Sequence, residues 1–236
     1  MNTFYQKDIQ SDINTLSPEE SRHCTQVLRH KVGDVITIFD GNGGKHEARL
    51  KTVHKNGCEF EIVKSQLSQP KAYHIHLIIA PTKNIDRIEW LIEKLGEIGV
   101  DEVSFIITKH SERRKLRMDR LEKKAVSAMK QSGNPWKTKL NDLNDFKDTV
   151  SKLQPDTLKY IAHVDQNHEP LISNLKPDQK VEILVGPEGD FSEDEVAFAK
   201  ANGFIPVSLG PHILRTETAG FVACCNVNFI NDHHSR

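Results

Sequence analysis

The sequence predicts an α/β protein in two parts: a small β-barrel-like module over residues 1–70 and a larger domain with a largely parallel sheet over 71–236. Three observations carry that reading. Before residue 70, short apolar runs alternate with polar residues and are separated by turn residues. After residue 73, apolar runs alternate with segments of helical periodicity. Glycine or proline marks nearly every change between them. A chain of 236 residues can bury a substantial core in one large domain or two modest ones.

In the first module, Ser17-Pro18 opens a helix expected to run to Leu28, with serine as cap and proline at its first position. Val35–Phe39 and His46–Val53 read as strands, and the Asp40-Gly-Asn-Gly-Gly44 cluster between them is a hairpin signal. Cys58–Val63 alternates as a half-buried strand does. Ser65–Lys71 reads as the linker.

The second part opens with the strand His74–Ala80, stopped by Pro81. Ile85, Ile88, Leu91, Ile92, Leu95 and Ile98 then recur at helical spacing, with Gly99 as the stop. Val103–Thr108 is the next strand, followed by a helix expected over about 113–131 and a loop with Gly133 and Pro135. Tyr160–Val164 and Val181–Val185 are further strands. Ser192 and Glu195 form a capping box for a helix that Gly203 ends. Ile205–Leu209 is the last strand, and Thr216 begins a final helix expected to reach about residue 230.

Composition narrows the function. Charged residues make up 28% and the formal net charge is −1, so nucleic-acid binding has to come from local patches. Cys24, Cys58, Cys224 and Cys225 lack CxxC spacing and read as buried free thiols. The residues from Met1 to Lys7 contain no apolar targeting core, and no run reaches membrane-spanning length; a cytoplasmic protein without membrane partners is expected. Of the twelve histidines, His74 and His76 share a strand face, and His233 and His234 lie in a polar tail. None combines with Cys, Asp or Glu at metal-ligand spacing, so no metal is expected.

The chemistry concentrates in two glycine-punctuated segments, 184–196 and 208–220, each running from a strand end to a helix start. Glycines there admit close approach to the backbone, and helix starts offer unpaired N–H donors. Gly186-Pro-Glu-Gly-Asp190 has no GxxxxGK[ST] pattern, and Glu188, Asp190, Glu193, Asp194 and Glu195 disfavour an anion. No GxGxxG follows the first strand, and neither Ser192 nor Ser208 has GxSxG context. A phosphate-free ligand gripped by backbone groups fits both segments. A third constellation is basic: residues 113–130 hold eight basic residues against two acidic ones, a local charge of +6. Like charges at helical spacing repel, so phosphate binding by Arg113, Arg114, Arg117, Arg120 and Lys124 is favoured over an ordinary solvated face. Arg22, Arg29 and Lys31 extend the expected nucleic-acid surface into the first module.

Leu184-Val-Gly-Pro-Glu-Gly189 with Phe191-Ser192, followed by Leu209-Gly210 and Ile213–Ala219, resembles the RsmE family, the 16S ribosomal RNA (uridine N3) methyltransferases of the SPOUT class. Val27–Asp34, Phe39–Gly41, Lys83–Arg87, Trp90–Val100 and Gln131–Gly133 match other family elements. The pattern departs at Lys130, Asn134 and Asp190. The resemblance implies a PUA-like RNA-binding module over 1–70 and a SPOUT domain with a trefoil knot over 71–236. It implies S-adenosylmethionine (SAM) held by Ala80, Leu184, Gly186, Pro187, Glu188, Gly189, Leu209, Gly210, Ile213, Leu214 and Thr218. It further implies a homodimer using the final helix, with Ala223, Val227 and Phe229, and ribosomal RNA or the small subunit as partner. Arg215 is then the candidate cation for a uracil anion. Glu217 is the candidate proton acceptor or an orienter of Arg215; the plainer alternatives are an Arg215–Glu217 pair and a helix-dipole role for Glu217. Two alternatives stay open: an RNA-binding assembly factor of this fold without catalysis, and a SPOUT enzyme acting on tRNA.

Overall fold

The computed structural model describes residues 2–9, 13–164 and 168–234, the last two by backbone alone, so the His233 and His234 side chains lie outside it. The chain forms two compact units, Met1–Pro70 with Val126–Lys137, and Lys71–Ala125 with Thr138–Arg236.

The first unit contains strands β1 (Thr3–Tyr5), β2 (Ile13–Thr15), β3 (Val35–Phe39), β4 (Gly44–Thr52) and β5 (Glu59–Leu67) in the order β1-β3-β4-β5-β2. All pairings are antiparallel except β1 with β3. Irregularities at Glu47/Ala48 and Leu50/Thr52 interrupt the longest ladder, as bulges do where a sheet curls. The module is thus a half-barrel rather than a closed one: among the described residues β1 and β2 do not pair. Phe4, Leu16, Ile36, Ile38, Leu50 and Phe60 fill its core. The helix expected from Ser17 is shorter than the sequence suggests. Ser17 caps α1 (Pro18–Arg22), which passes into a π-helical turn at His23–Val27 and an Arg29 at φ 57°. Residues 126–137 join this unit through Lys130 to Glu20 (2.6 Å) and the Gly43 N–H to the Pro135 carbonyl (3.1 Å). Gly43, at φ 93°, also makes room for Trp136: a Cβ there would lie 2.5 Å from the indole.

The second unit is a fully parallel six-stranded sheet. Its strands are β6 (His74–Ile79), β7 (Glu102–Ile107), β8 (Lys139–Asp145), β9 (Leu158–Ala162), β10 (Lys180–Val185) and β11 (Ile205–Val207), in the order β11-β9-β10-β6-β7-β8. The helices are α2 (Ile85–Glu97), α3 (Met118–Ser132), of which the part from Val126 belongs to the first unit, α4 (Phe146–Ser151), α5 (Leu171–Asn174), α6 (Glu193–Ala201) and α7 (Thr216–His234). Strand residues alternate between two cores, as a sheet covered on both faces requires. Ile75, Leu77 and Ile79 pack with Leu91 of α2 and Ala223 of α7, while Ile78, Ile161 and Leu184 pack with Phe146 of α4 and Ala199 of α6. Gly220 belongs to the first of these layers, where a Cβ would sit 3.1 Å from both Ile79 and Leu77. Cys24, Cys58 and Cys224 are buried free thiols, but Cys225 is only half-buried. Burial above all pushes the Cys24 thiol up to about 12.

Three readings change. The helix expected from about 113 begins only at Met118, so Arg113, Arg114, Lys115 and Arg117 precede it in irregular chain. β8 was not anticipated, because Lys139-Leu-Asn-Asp-Leu-Asn-Asp145 is polar and its leucines are three apart. It is an edge strand whose ladder skips a residue opposite Ser104/Phe105. The last strand ends at Val207, which leaves 208–215 as a long loop.

Candidate functional site

The carboxyl ends of β9, β10 and β11 open onto a cavity of about 550 Å³ within the second unit. That is where ligands sit in open parallel sheets, and the volume falls in the roughly 300–1,000 Å³ range of small-molecule sites. Both glycine segments line it. Val185–Glu188 and Asp190 form one side and Ser208–Arg215 the other, and Arg87, Ala162, His163, Val164, Thr216 and Ala219 complete it.

Local chemistry shapes each wall. Gly186 and Pro187 are buried directly after β10, and a Cβ on Gly186 would meet the Phe191 ring at 3.1 Å and Asp190 Oδ1 at 3.2 Å. Asp190 adopts φ 59°, a left-handed conformation that Asp tolerates better than most residues. Its carboxylate accepts the N–H groups of Phe191 (2.7 Å) and Val164 (3.1 Å), and His163 Nε2 lies 3.7 Å away. His110 Nδ1 donates to its carbonyl at 3.0 Å. Behind the loop, the buried Glu195 carboxylate accepts from Ser192 N–H (2.8 Å), the Ser192 hydroxyl (2.9 Å) and Lys109 N–H (2.7 Å). One side chain thereby closes the capping box of α6 and ties the loop to the exit of β7. Opposite, Gly210 takes φ 132°, which only glycine adopts without strain, and the Ser208 hydroxyl accepts its N–H at 3.2 Å. Ser208 is fixed in turn by backbone bonds with Glu169 (3.0 Å) and Leu171 (2.9 Å).

Residues 69–228 match the family model of the RNA methyltransferase domain, and 16–63 that of the RNA methyltransferase PUA domain. The chain is 30% identical over 215 residues to ribosomal RNA small subunit methyltransferase E of Buchnera aphidicola, an alignment covering 88% of this chain and 84% of the relative. The chain belongs to the ribosomal RNA small subunit methyltransferase E family. Solved structures agree. The crystal structure of the probable rRNA-methyltransferase from Porphyromonas gingivalis is 40% identical with a TM-score of 0.89, covering 98% of this chain and 99% of that one. That of ribosomal RNA small subunit methyltransferase E from Neisseria gonorrhoeae, bound to S-adenosyl methionine, is 27% identical with a TM-score of 0.87 and 97% coverage of both chains.

Within this family member, the expected cofactor residues Gly186, Pro187, Glu188, Leu209, Gly210, Ile213 and Leu214 line the cavity. Ala80, Leu184, Gly189 and Thr218 are not among its lining residues. Ala80 and Leu184 are fully buried in the core on one face of the sheet, Ala80 donating its N–H to the Val185 carbonyl (3.0 Å), and Gly189 turns its α-carbon toward His110. Arg215 lines the cavity and is exposed. Glu217 is buried outside the lining, and its carboxylate faces Arg87 at 3.7 Å instead of pairing with Arg215. Arg87, Ala162, His163 and Asp190 were not singled out as ligand contacts. The usable signal for Ala162 and His163 was their position at a strand's carboxyl end. Arg87 becomes a wall residue only through the packing of α2 beside α7.

The expected RNA-binding residues divide by their partners. Arg120 pairs with Glu89 and, at 3.7 Å, with Asp86; Lys124 lies 3.9 Å from Glu93; Arg117 meets Asp119 at 2.9 Å. Arg113 donates to the carbonyls of Thr82 (2.9 Å) and Lys83 and is structural in part. Arg114 and Lys115 beside it are exposed, with no ion pair among the described residues. In the first unit Arg22, Arg29 and Lys31 are all exposed, and Asp34 holds the turn by accepting from Lys31 N–H and the His30 ring, both at 3.0 Å. Among the described residues no group of three or more His, Cys, Asp or Glu is placed to hold a metal ion, and no helix is long and apolar enough to cross a membrane.

Proposed function

We propose that this chain is a SAM-dependent methyltransferase that modifies N3 of a uridine in 16S ribosomal RNA. The observation that carries the reading is the cavity shared by the two glycine segments in a member of this family. Its chemistry fits SAM. Buried Gly186 and Pro187 and the open backbone at Gly210 offer peptide groups at close range, while Val185, Leu209, Leu214 and Ala219 offer apolar surface for a purine. Glu188 and Asp190 suit a cationic ligand without phosphates. Gly186, Pro187, Leu209, Gly210, Ile213 and Leu214 are the residues proposed to hold it.

When bound, SAM supplies an electrophilic methyl group on a sulfonium. The chain's own residues do the rest. The two loops orient the cofactor against the nucleotide, and positioning of that kind supplies a large share of such a rate. Uracil N3 must lose its proton, which passes to solvent, before it can attack, and Arg215, exposed on the cavity wall, is placed to stabilise the resulting anion on the uracil oxygens. The position of Glu217 beside Arg87 favours an orienting role over proton transfer. The uridine leaves its stack to enter. Arg22, Arg29, Lys31, Arg114 and Lys115 are proposed phosphate contacts. A homodimer through α7 is supported by apolar surface there and on α2: Phe229 is 53% and Trp90 42% exposed. The knotted threading of the second unit and a cytoplasmic location complete the reading.

Calorimetric titration with SAM tests the site, and no binding sinks the enzyme reading. Gene deletion with mass-spectrometric mapping of the small-subunit RNA tests the substrate: N3-methyluridine has to disappear. Light scattering has to return the mass of two chains for the dimer to stand.

A further inference from the structure

Arg87 stands in the first turn of α2, where a cation opposes the helix dipole, so its placement there calls for a compensating interaction. Part of it is Glu217, 91% of whose side chain is buried in the first turn of α7, with Oε1 3.7 Å from Arg87 Nε. That distance is too long for a charge-assisted hydrogen bond, which closes to about 2.7–2.9 Å in a fork. Both partners are left short. Among the described residues, buried Glu217 Oε2 has no hydrogen-bond partner and the five N–H donors of Arg87 find no acceptor. Yet Arg87 is only 35% exposed and lines the cavity. A pair that served only to tie two helices together would close the fork. This one holds a guanidinium at the cavity wall with its donors unspent.

We propose that Arg87 is a ligand-binding cation of this site, a preorganised clamp for an anionic oxygen, and that Glu217 is its positioning residue. The proposal rests on the SAM reading of the cavity. Two bound groups carry such an oxygen: the carboxylate of the cofactor's amino-acid end and the carbonyl oxygens of a deprotonated uracil. In either case the ligand meets Arg87 through one edge of the guanidinium while Glu217 steadies the other.

The test is calorimetric titration of wild type, R87Q, R87K and E217Q with SAM and with decarboxylated SAM, which keeps the sulfonium but lacks the carboxylate. Single-turnover methyl transfer to 16S ribosomal RNA and thermal unfolding accompany it. If Arg87 receives the carboxylate, R87Q weakens SAM binding about ten- to hundredfold and leaves decarboxylated SAM unchanged. If it receives the uracil oxygens, SAM binding stays within about twofold while the single-turnover rate falls by a similar ten- to hundredfold factor. In the affected measurement R87K recovers part of the loss and E217Q reproduces a smaller one. Equal weakening of both cofactors, or a change in thermal stability alone, overturns the proposal. If R87Q does not fold, R87K and E217Q decide by the same readings. A wild-type protein that binds no SAM refutes the functional reading itself, an outcome distinct from any variant's behaviour.

Discussion

Replacing Glu195 with alanine is expected to cost about 2 kcal/mol and to loosen the cofactor loop. The carboxylate is 7% exposed and accepts three hydrogen bonds, at 2.7, 2.8 and 2.9 Å. The Ser192 hydroxyl loses its bond to the carboxylate, at a cost of about 1 kcal/mol. The Ser192 N–H is left buried without its acceptor, which adds about 1–3 kcal/mol. Lys109 sits at the surface, so water replaces its lost partner cheaply, and release of a desolvated carboxylate offsets part of the sum. For a unit of this size, about 2 kcal/mol lowers Tm by about 4–8 °C. Glu195→Gln keeps one acceptor oxygen and is expected to lose about half as much. Thermal unfolding by circular dichroism measures the stability, and SAM titration at a temperature where both variants are folded measures the loop. A drop below about 1 °C in the alanine variant, or equal damage from glutamine, refutes the reasoning.

Gly186→Val places a side chain where the first atom already meets Phe191 at 3.1 Å and Asp190 at 3.2 Å. The expected result is SAM binding at least about tenfold weaker with an unchanged circular dichroism spectrum; unaltered binding removes Gly186 from the site. At the opposite end of the sheet, burial alone would raise the Glu102 carboxyl, but hydrogen bonds from Lys139 and Asn141 hold it below its ordinary 4.5. A depressed carboxylate stabilises fully above that ordinary value and loses its contribution as pH falls through the lower, folded-state one. Glu102→Gln therefore flattens the acid limb of stability below about pH 5, seen by urea unfolding across pH, and an unchanged limb contradicts it. Exposed Arg114 and Lys115 and paired Lys130 separate RNA contacts from structural charges. The Arg114→Ala, Lys115→Ala double variant is expected to reduce the salt slope of 16S RNA binding by about 1–2, whereas Lys130→Ala lowers stability with its slope intact. The reverse pattern would reassign both.

Much of the second unit was legible because its signals are local. Pro81 and Gly99 bracket α2, Ser192 and Glu195 cap α6, and continuous apolar runs mark the strands of a sheet buried on both faces. The polar edge strand β8 left no such mark, since its identity depends on β7 beside it. The basic stretch misled for a related reason. Charge counting sees +6 along the chain but cannot see Glu89, Glu93, Asp86 or Glu20, brought from other segments to neutralise much of it.

By itself the sequence determined the α/β class and the two glycine segments, which lack a phosphate-loop pattern, because glycine, proline and carboxylates act through their own covalent nature wherever they fall. Tertiary structure alone decided which groups meet. It put Ala162 and His163 at the mouth of the site, withdrew Ala80, Leu184 and Gly189 from its wall, and turned Glu217 toward Arg87. Those choices depend on parallel strands and helix starts far apart in sequence converging at one sheet edge, and pairings of that kind are not written in any local pattern.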